Sequence, residues 1–352
     1  MRPTAFNRMW GMAAAALVLN IVSADAQTTR PMKNATGFVY TADEVGNTIS
    51  TINLATGQVT IVPATLSPHN LQASADGARL LAVGEAPMAA GVQGHGSQGL
   101  GMKAPGQLLV FSTASMASGP TASIILGDHP AHVVVESTGG RAFATLSGDN
   151  VVAVIDLARN EVVQKIPTGR FPHGLRISPD GRSLYIANVD DGSVSVIDTS
   201  TLSEVTKIPV GKGPVQVGFT PDGTRVYVSL RDENKVAVID TKTKTVLARI
   251  NVGRNPIQVH ATRDGRFVYV ANQGTTAEPA DTVSVIETAT GKVIATIRTG
   301  AGAHGVTTSS DGRHVFVTNI VAGTVSAIDV ESRTVVATFV VGRGPNGITY
   351  KP

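Results

Sequence analysis

Apolar and polar residues alternate in short runs along most of the chain, as in Val194-Ser195-Val196-Ile197, and turn residues interrupt the runs every few positions. A period of two predicts half-buried β-strands. The runs also recur as a block: Phe171–Asp198, FPHGLRISPDGRSLYIANVDDGSVSVID, shares its register with Gly213–Asp240, GPVQVGFTPDGTRVYVSLRDENKVAVID, over all 28 residues. One marker position makes the repeat countable. Pro172, Pro214 and Pro256 are 42 apart, Ala303 follows after 47 because Thr275–Pro279 lengthens a loop, and Pro345 comes 42 later. Ala131 and Pro68 hold the same place upstream, at intervals of 41 and 63, which makes seven copies.

Each copy has room for four strands. Strand A runs into an Asp-Gly turn such as Pro179-Asp180-Gly181, where Asp accepts local backbone bonds and Gly supplies a positive φ. Strand B is of the Leu-Tyr-Ile-Ala type, C of the Val-Ser-Val-Ile-Asp type and D of the Glu-Val-Thr-Lys-Ile-Pro type. Four strands repeated about every 40 residues predict an all-β fold, a seven-bladed β-propeller of four-stranded antiparallel blades. The last marker is followed by strand A alone, Asn346–Tyr350, while Gly37–Tyr40, Thr48–Asn53 and Gln58–Val62 supply an unmatched B, C and D at the other end. The two ends are therefore expected to share one blade, which closes the ring without a free sheet edge. Residues 37–352 read as this single domain, preceded by a lead-in at 27–36.

The strand B strings Tyr269-Val270-Ala271-Asn272 and Phe316-Val317-Thr318-Asn319, followed by VSVIE or VSAID, resemble the repeat of the YVTN family of bacterial propellers. The resemblance covers residues 37–352. It implies the propeller fold and leaves the activity open, since propellers of this kind are similar to binding modules, lactone-hydrolysing enzymes and haem- or copper-carrying reductases.

Composition narrows the chemistry. With no cysteine, the chain cannot carry a disulfide scaffold, a thiolate metal centre, a covalent c-type haem, a cysteine nucleophile or a lipoprotein anchor. Arg2 and Arg8 precede an apolar stretch, Met9–Val22, and Ala24-Asp25-Ala26 supplies a small-x-small cleavage pattern. Residues 1–26 therefore read as a signal peptide, which predicts an exported, periplasmic or extracellular protein without a stable membrane anchor. Removing Arg2, Arg8 and Asp25 takes the formal charge from +3 to +2. Aromatic residues, at 4%, are too few for stacking platforms, so single-stranded nucleic-acid binding is the weakest functional reading.

Strand alternation puts the D–A and B–C loops on one face, around one mouth of the channel, where propeller ligands bind. The column just after the marker reads His69, His132, His173, Val215, Ile257, His304 and Asn346. Four of seven are histidine, the commonest protein ligand for transition metals. They are candidates for a bound metal, copper or zinc, or for a noncovalent haem. Strict alternation argues the other way: each histidine lies two positions before an apolar residue (Leu71, Val134, Leu175, Val306), hence on the buried side unless the loop resets the pattern.

A second column two residues before the marker, Arg170, Lys212, Arg254 and Arg343, could ring the mouth with positive charge suited to a small anionic ligand. Acids on the B–C loops, among them Glu44, Glu85, Asp190, Asp191, Asp232 and Glu233, could equally pair with it. The B–C loop at 85–107 is inserted, glycine-rich and carries Met88, His95 and Met102, so it reads as a lid or a copper loop. Further along strand A, Gln72, Arg176, Gly218, His260 and Thr307 are placed to line the channel; His129 and His314 read as ordinary loop and strand histidines. No nucleophile elbow, phosphate loop or dinucleotide fingerprint occurs.

Two functions are consistent with this inventory. One is a non-enzymatic module, expected as a monomer, that binds an unidentified protein or small anion at the mouth. The other is a metal- or haem-dependent redox or hydrolytic, lactonase-like enzyme using the histidines.

Overall fold

The computed structural model describes residues 27–28, 31–32, 35–87 and 105–352. The expected signal peptide and the loop residues Met88, His95 and Met102 lie outside them. The described strands form seven antiparallel sheets arranged as blades. Numbered by their markers, the inner strands of blades 1 to 7 are Ser67–Ala73, Pro130–Val135, Pro172–Ile177, Pro214–Phe219, Pro256–Ala261, Ala303–Thr308 and Pro345–Lys351. Each touches the next around the ring and the seventh touches the first, so these strands enclose the channel.

Blade 7 closes as the sequence predicts. Its inner strand is the chain's end, Pro345–Lys351, paired with Phe38–Asp43, which pairs in turn with Thr48–Asn53 and Gln58–Pro63. A short strand, Gln27–Thr28, adds a fifth member outside Gln58–Pro63, so part of the lead-in covers this blade's outer edge.

Position in the blade explains the burial. Strands B and C are covered on both faces by neighbouring blades, as in Ser193–Asp198, and read as nearly continuous apolar runs. Outer strands such as Glu161–Pro167 are largely exposed and carry much of the charge. Contacts between blades make the core: Phe143, Val152 and Val154 of blade 2 pack against Leu175, Ile186 and Ile197 of blade 3. At the seam, Val39 and Ile52 pack on Phe316 and Phe339 of blade 6, with Ile348 from the chain's end. Full burial of one such side chain is worth about 1.5–3 kcal/mol. The Asp-Gly turns form as expected: Gly181 has φ 76°, and Asp180 accepts Ser178 Oγ–H at 2.5 Å and the Arg182 N–H at 3.1 Å. The Ser178 hydrogen bond holds the Asp180 carboxyl below the usual range.

The departure from simple alternation lies at the head of strand A. In all seven blades the register with strand B slips within the first three or four residues, for example between Pro172 and Leu175. Such a bulge inserts an extra residue and re-aims the side chains before it. In six blades the residue before the marker is left-handed, at His129, Phe171, Gly213, Asn255, Gly302 and Gly344. Alternation therefore does not carry the post-marker column onto the side of Leu71 or Leu175.

Blade 7 also differs from its relatives at Asp43. At the equivalent place Asn188 donates to Ser193 and Ser195, Asn272 to Thr282 and Ser284, and Asn319 to Thr324 and Ser326. Asp43 instead accepts from Thr41 at 2.7 Å, Thr48 at 3.0 Å and Ser50 at 2.6 Å. Burial pushes its carboxyl up to about 7 despite those bonds. The folded chain then keeps a proton that the unfolded chain loses from about pH 4 upward, so this residue lowers stability as pH rises from 4 through 7. Asp43→Asn restores the repeat's own amide and removes that dependence. The variant should gain stability on the order of 3 kcal/mol at pH 8, with the gain shrinking toward pH 4; urea unfolding across that range measures it, and a gain independent of pH would contradict the assignment.

Candidate metal centre

The bulges turn the histidine column inward, and adjacent blades bring three of its members together. His69, His132 and His173, from blades 1, 2 and 3, each present a nitrogen within 4.8 Å of the others. Their ring centroids are 5.8, 5.2 and 4.7 Å apart. His69 and His132 are buried and His173 is half-buried.

Hydroxyls on strand B tie the column together from blade to blade. Thr145 Oγ1 receives the His132 N–H at 3.0 Å and donates to the His173 carbonyl at 2.7 Å, so one side chain fixes two of the three histidines. Ser229 does the same between Gln216 and Ile257, and Thr318 between Gly305 and Asn346. The strand contributes the hydroxyl because the bulge leaves a backbone N–H that no ladder bond satisfies.

The outer nitrogens have specific partners. His69 Nδ1 lies 3.0 Å from Glu44 Oε1, and Asn346 Nδ2 donates to Glu44 Oε2 at 2.7 Å. His173 Nδ1–H donates to the Val215 carbonyl at 3.3 Å. The acceptor oxygens at both contacts favour the ring proton on Nδ1, with the Asn346 Nδ2 donor also 3.1 Å from His69 Nδ1. The two Nε2 atoms then face each other at 3.2 Å. Two lone pairs at that distance repel unless a proton or a metal ion lies between them. His132 Nδ1 is approached at 3.4 Å by Gln216 Nε2, whose Oε1 already accepts the Val217 N–H. Burial, reinforced by His173 and His69, drives the His132 pKa well below the usual imidazole range, so this ring is neutral.

His304 is not among the three that converge, although its charge is felt by His132. Its Nδ1–H donates to the Asn346 carbonyl at 3.2 Å, so it reaches the cluster through blade 7. His129, read from sequence as an ordinary loop residue, lies near the cluster with its ring 6.4 Å from that of His69 and its Nδ1 3.3 Å from Glu85.

The basic column lies further out and holds loops. Arg170 bonds the Asp190 carbonyl and pairs with Asp191, Arg254 clamps Glu278, and Arg343 reaches the Val45 carbonyl at 3.4 Å. Lys212 is exposed, and its backbone N–H donates to Glu233. Each of these partners belongs to the B–C loop of the same blade. Exposed pairs of this kind contribute about 0–1 kcal/mol each.

Below the mouth, Arg176 and His260 lie on inner strands. Desolvation brings the Arg176 guanidinium down to about 10 and the His260 imidazole down to about 4. His314 lies on strand B of blade 6, away from the column, and is lowered by burial.

Against known proteins, no curated sequence matches the chain. Among solved structures it is similar to the hydrazine synthase of Kuenenia stuttgartiensis, at 21% identity and TM-score 0.67, over 80% of this chain and 88% of that one. A functionally unknown protein from Desulfotomaculum acetoxidans aligns at 17% identity and TM-score 0.71, over 90% and 99%. A Bacteroides uniformis protein described as a candidate 6-phosphogluconolactonase aligns at 14% and 0.71, over 90% and 100%. At these identities the likeness is one of fold. The sequence model of the YNCE-like β-propeller family matches residues 108–263 and 254–351, the outer half of blade 1, the five blades that follow and the closing strand, and with the seven-bladed ring it makes this chain a member of that family.

Proposed function

We propose that the protein binds one divalent transition-metal ion, zinc or copper(II), at the mouth of its channel through His69, His132 and His173. The observation that carries this reading is the convergence of three imidazole nitrogens within 4.8 Å. A zinc ion bound tetrahedrally at about 2.05 Å separates its nitrogen ligands by about 3.3 Å, close to the 3.2 Å between His69 and His173. An all-nitrogen set suits zinc or copper(II) better than copper(I). Nitrogens 3.2 Å apart leave no gap for a porphyrin plane, so a single ion fits better than a haem.

The outer shell supports the assignment. Glu44 on His69 and the Val215 carbonyl on His173 are the partners that fix a ligating imidazole and raise its basicity. To lend Nε2, His132 must carry its proton on Nδ1, which requires the Gln216 amide to turn over and give up the Val217 N–H. Three protein ligands leave a fourth position for water or a small ligand. That position would serve either a binding module or a hydrolytic site, since a zinc-bound water loses its proton near pH 7.

Export is part of the same proposal. Cleavage after Ala26 would leave the Gln27–Thr28 strand whole.

Two measurements test these readings. Protein stripped with a chelator should take up one equivalent of zinc by calorimetry. His173→Ala should abolish uptake, Glu44→Gln should weaken it about 10–100-fold, and Gln216→Glu, which supplies an acceptor to His132, should tighten it. No stoichiometric uptake, or uptake unchanged in His173→Ala, would sink the metal reading. For export, the protein recovered from the cell envelope or medium should begin at Gln27; a retained Met1 and cytoplasmic recovery would reject it.

A further inference from the structure

Beneath the three histidines the channel wall offers hydrogen-bond donors without acceptors to match. Arg176, on the inner strand of blade 3, spends one nitrogen on the Leu175 carbonyl at 2.9 Å. Among the described residues no carboxylate pairs with it, and desolvation is the cause of its lowered pKa. Its charge is felt both by His132 in blade 2 and by His260 in blade 5, inner strands on opposite sides of the ring. The guanidinium therefore lies toward the lumen. Gln258, also on the blade 5 inner strand, is 2% exposed; its Oε1 accepts the Val306 N–H while its Nε2 has no partner. A buried donor left unmade is costly, and a half-buried cation without a counter-charge adds to that cost.

Such a lumen is built for an anion. Neighbouring inner strands pack closely around it: a Cβ added at Gly174 would overlap the Gln216 side chain, and one at Gly305 or Gly347 would come within 2.7 Å of the neighbouring strand. The rim arginines are turned to their own loops and Lys212 is exposed to solvent, so the charge shielded from water is inside the channel.

We infer that the channel takes a small carboxylate, one oxygen on the open position of the metal and the other on the Arg176 guanidinium, with the Gln258 amide as a further donor. A planar carboxylate matches the fork of a guanidinium, and a single charge matches a single unpaired arginine. The inference rests on the metal proposal, and it gives that site a ligand class and an orientation. Arg176 acts here as a binding residue and is not a metal ligand.

Cobalt(II) in place of zinc makes the test optical, because its visible bands report both uptake and the fourth ligand. The cobalt-loaded protein should show a saturable spectral change with acetate at constant ionic strength. Arg176→Met should weaken acetate about 10-fold or more while cobalt affinity stays within about 3-fold. Arg176→Lys, which keeps the charge and loses the fork, should fall between the two. Acetate affinity equal in the parent and Arg176→Met, or no acetate response in the parent, overturns the carboxylate site and leaves the metal site standing. Failure of the parent protein to take up cobalt overturns both.

Discussion

Side chains on a β-strand alternate between faces, so a residue two positions before a core leucine should itself face the core. His173 and Leu175 stand in that relation and nevertheless have different surroundings, because the register slips between Pro172 and Leu175. The same slip occurs at the head of every inner strand. It converts one sequence column into a circle of side chains at the mouth, and the candidate centre depends on it. The bulge in turn depends on the blades packing closely enough for a hydroxyl of one, Thr145, to reach the carbonyl of the next, His173. Inter-blade packing thus sets the fold and also the distance between the three histidines.

The architecture was legible because it is written many times over. Seven markers, the Asp-Gly turns and the split final blade each specify the ring, and the packing of Val39 and Ile52 on Phe316 and Phe339 agrees with them. The site was legible only as a list of histidines. Nothing in the order of residues says that His69, His132 and His173 meet while His304 bonds to Asn346, since that depends on which blades are neighbours and on rotamers. Alternation even pointed the wrong way, because a bulge has no sequence signature beyond the left-handed residue before the marker. Glu44 appeared as one loop acid among many. A hydroxyl two residues before Ser147, at Thr145, was the available clue that blades 2 and 3 are tied at the histidines. Arg176 was placed in the channel by counting, but its lack of a counter-charge became visible only with the neighbouring strands in place.

The electrostatics divide the mouth into two zones. On the rim, Arg170 and Arg254 meet acids of their own loops in water, where pairing contributes little and specifies little. Inside, the same kinds of group lose their hydration: Arg176 and His260 shift toward their neutral forms, and His132 is held neutral. A neutral imidazole is the form that binds metal, so the burial that makes a protonated histidine costly leaves this one in the form the proposed centre needs. The column of rim charges, which looks from sequence like the anion site, is the less suitable of the two zones because its arginines already hold their own loops and Lys212 stands in water.

The partners of His69 have an uncommon origin. Glu44 belongs to the first loop of the ring and Asn346 to its last strand, 302 residues apart along the chain, and the two are hydrogen-bonded to each other at 2.7 Å. An ion gripped by His69 would therefore lean on the joint between the two ends of the polypeptide. By mass action, whatever binds the closed ring and not the open one holds it shut, by about 2.7 kcal/mol at a concentration one hundred times its dissociation constant. The protein would then work as a clasp fastened from within, with the seam between its ends loosening first when the fastener is withdrawn.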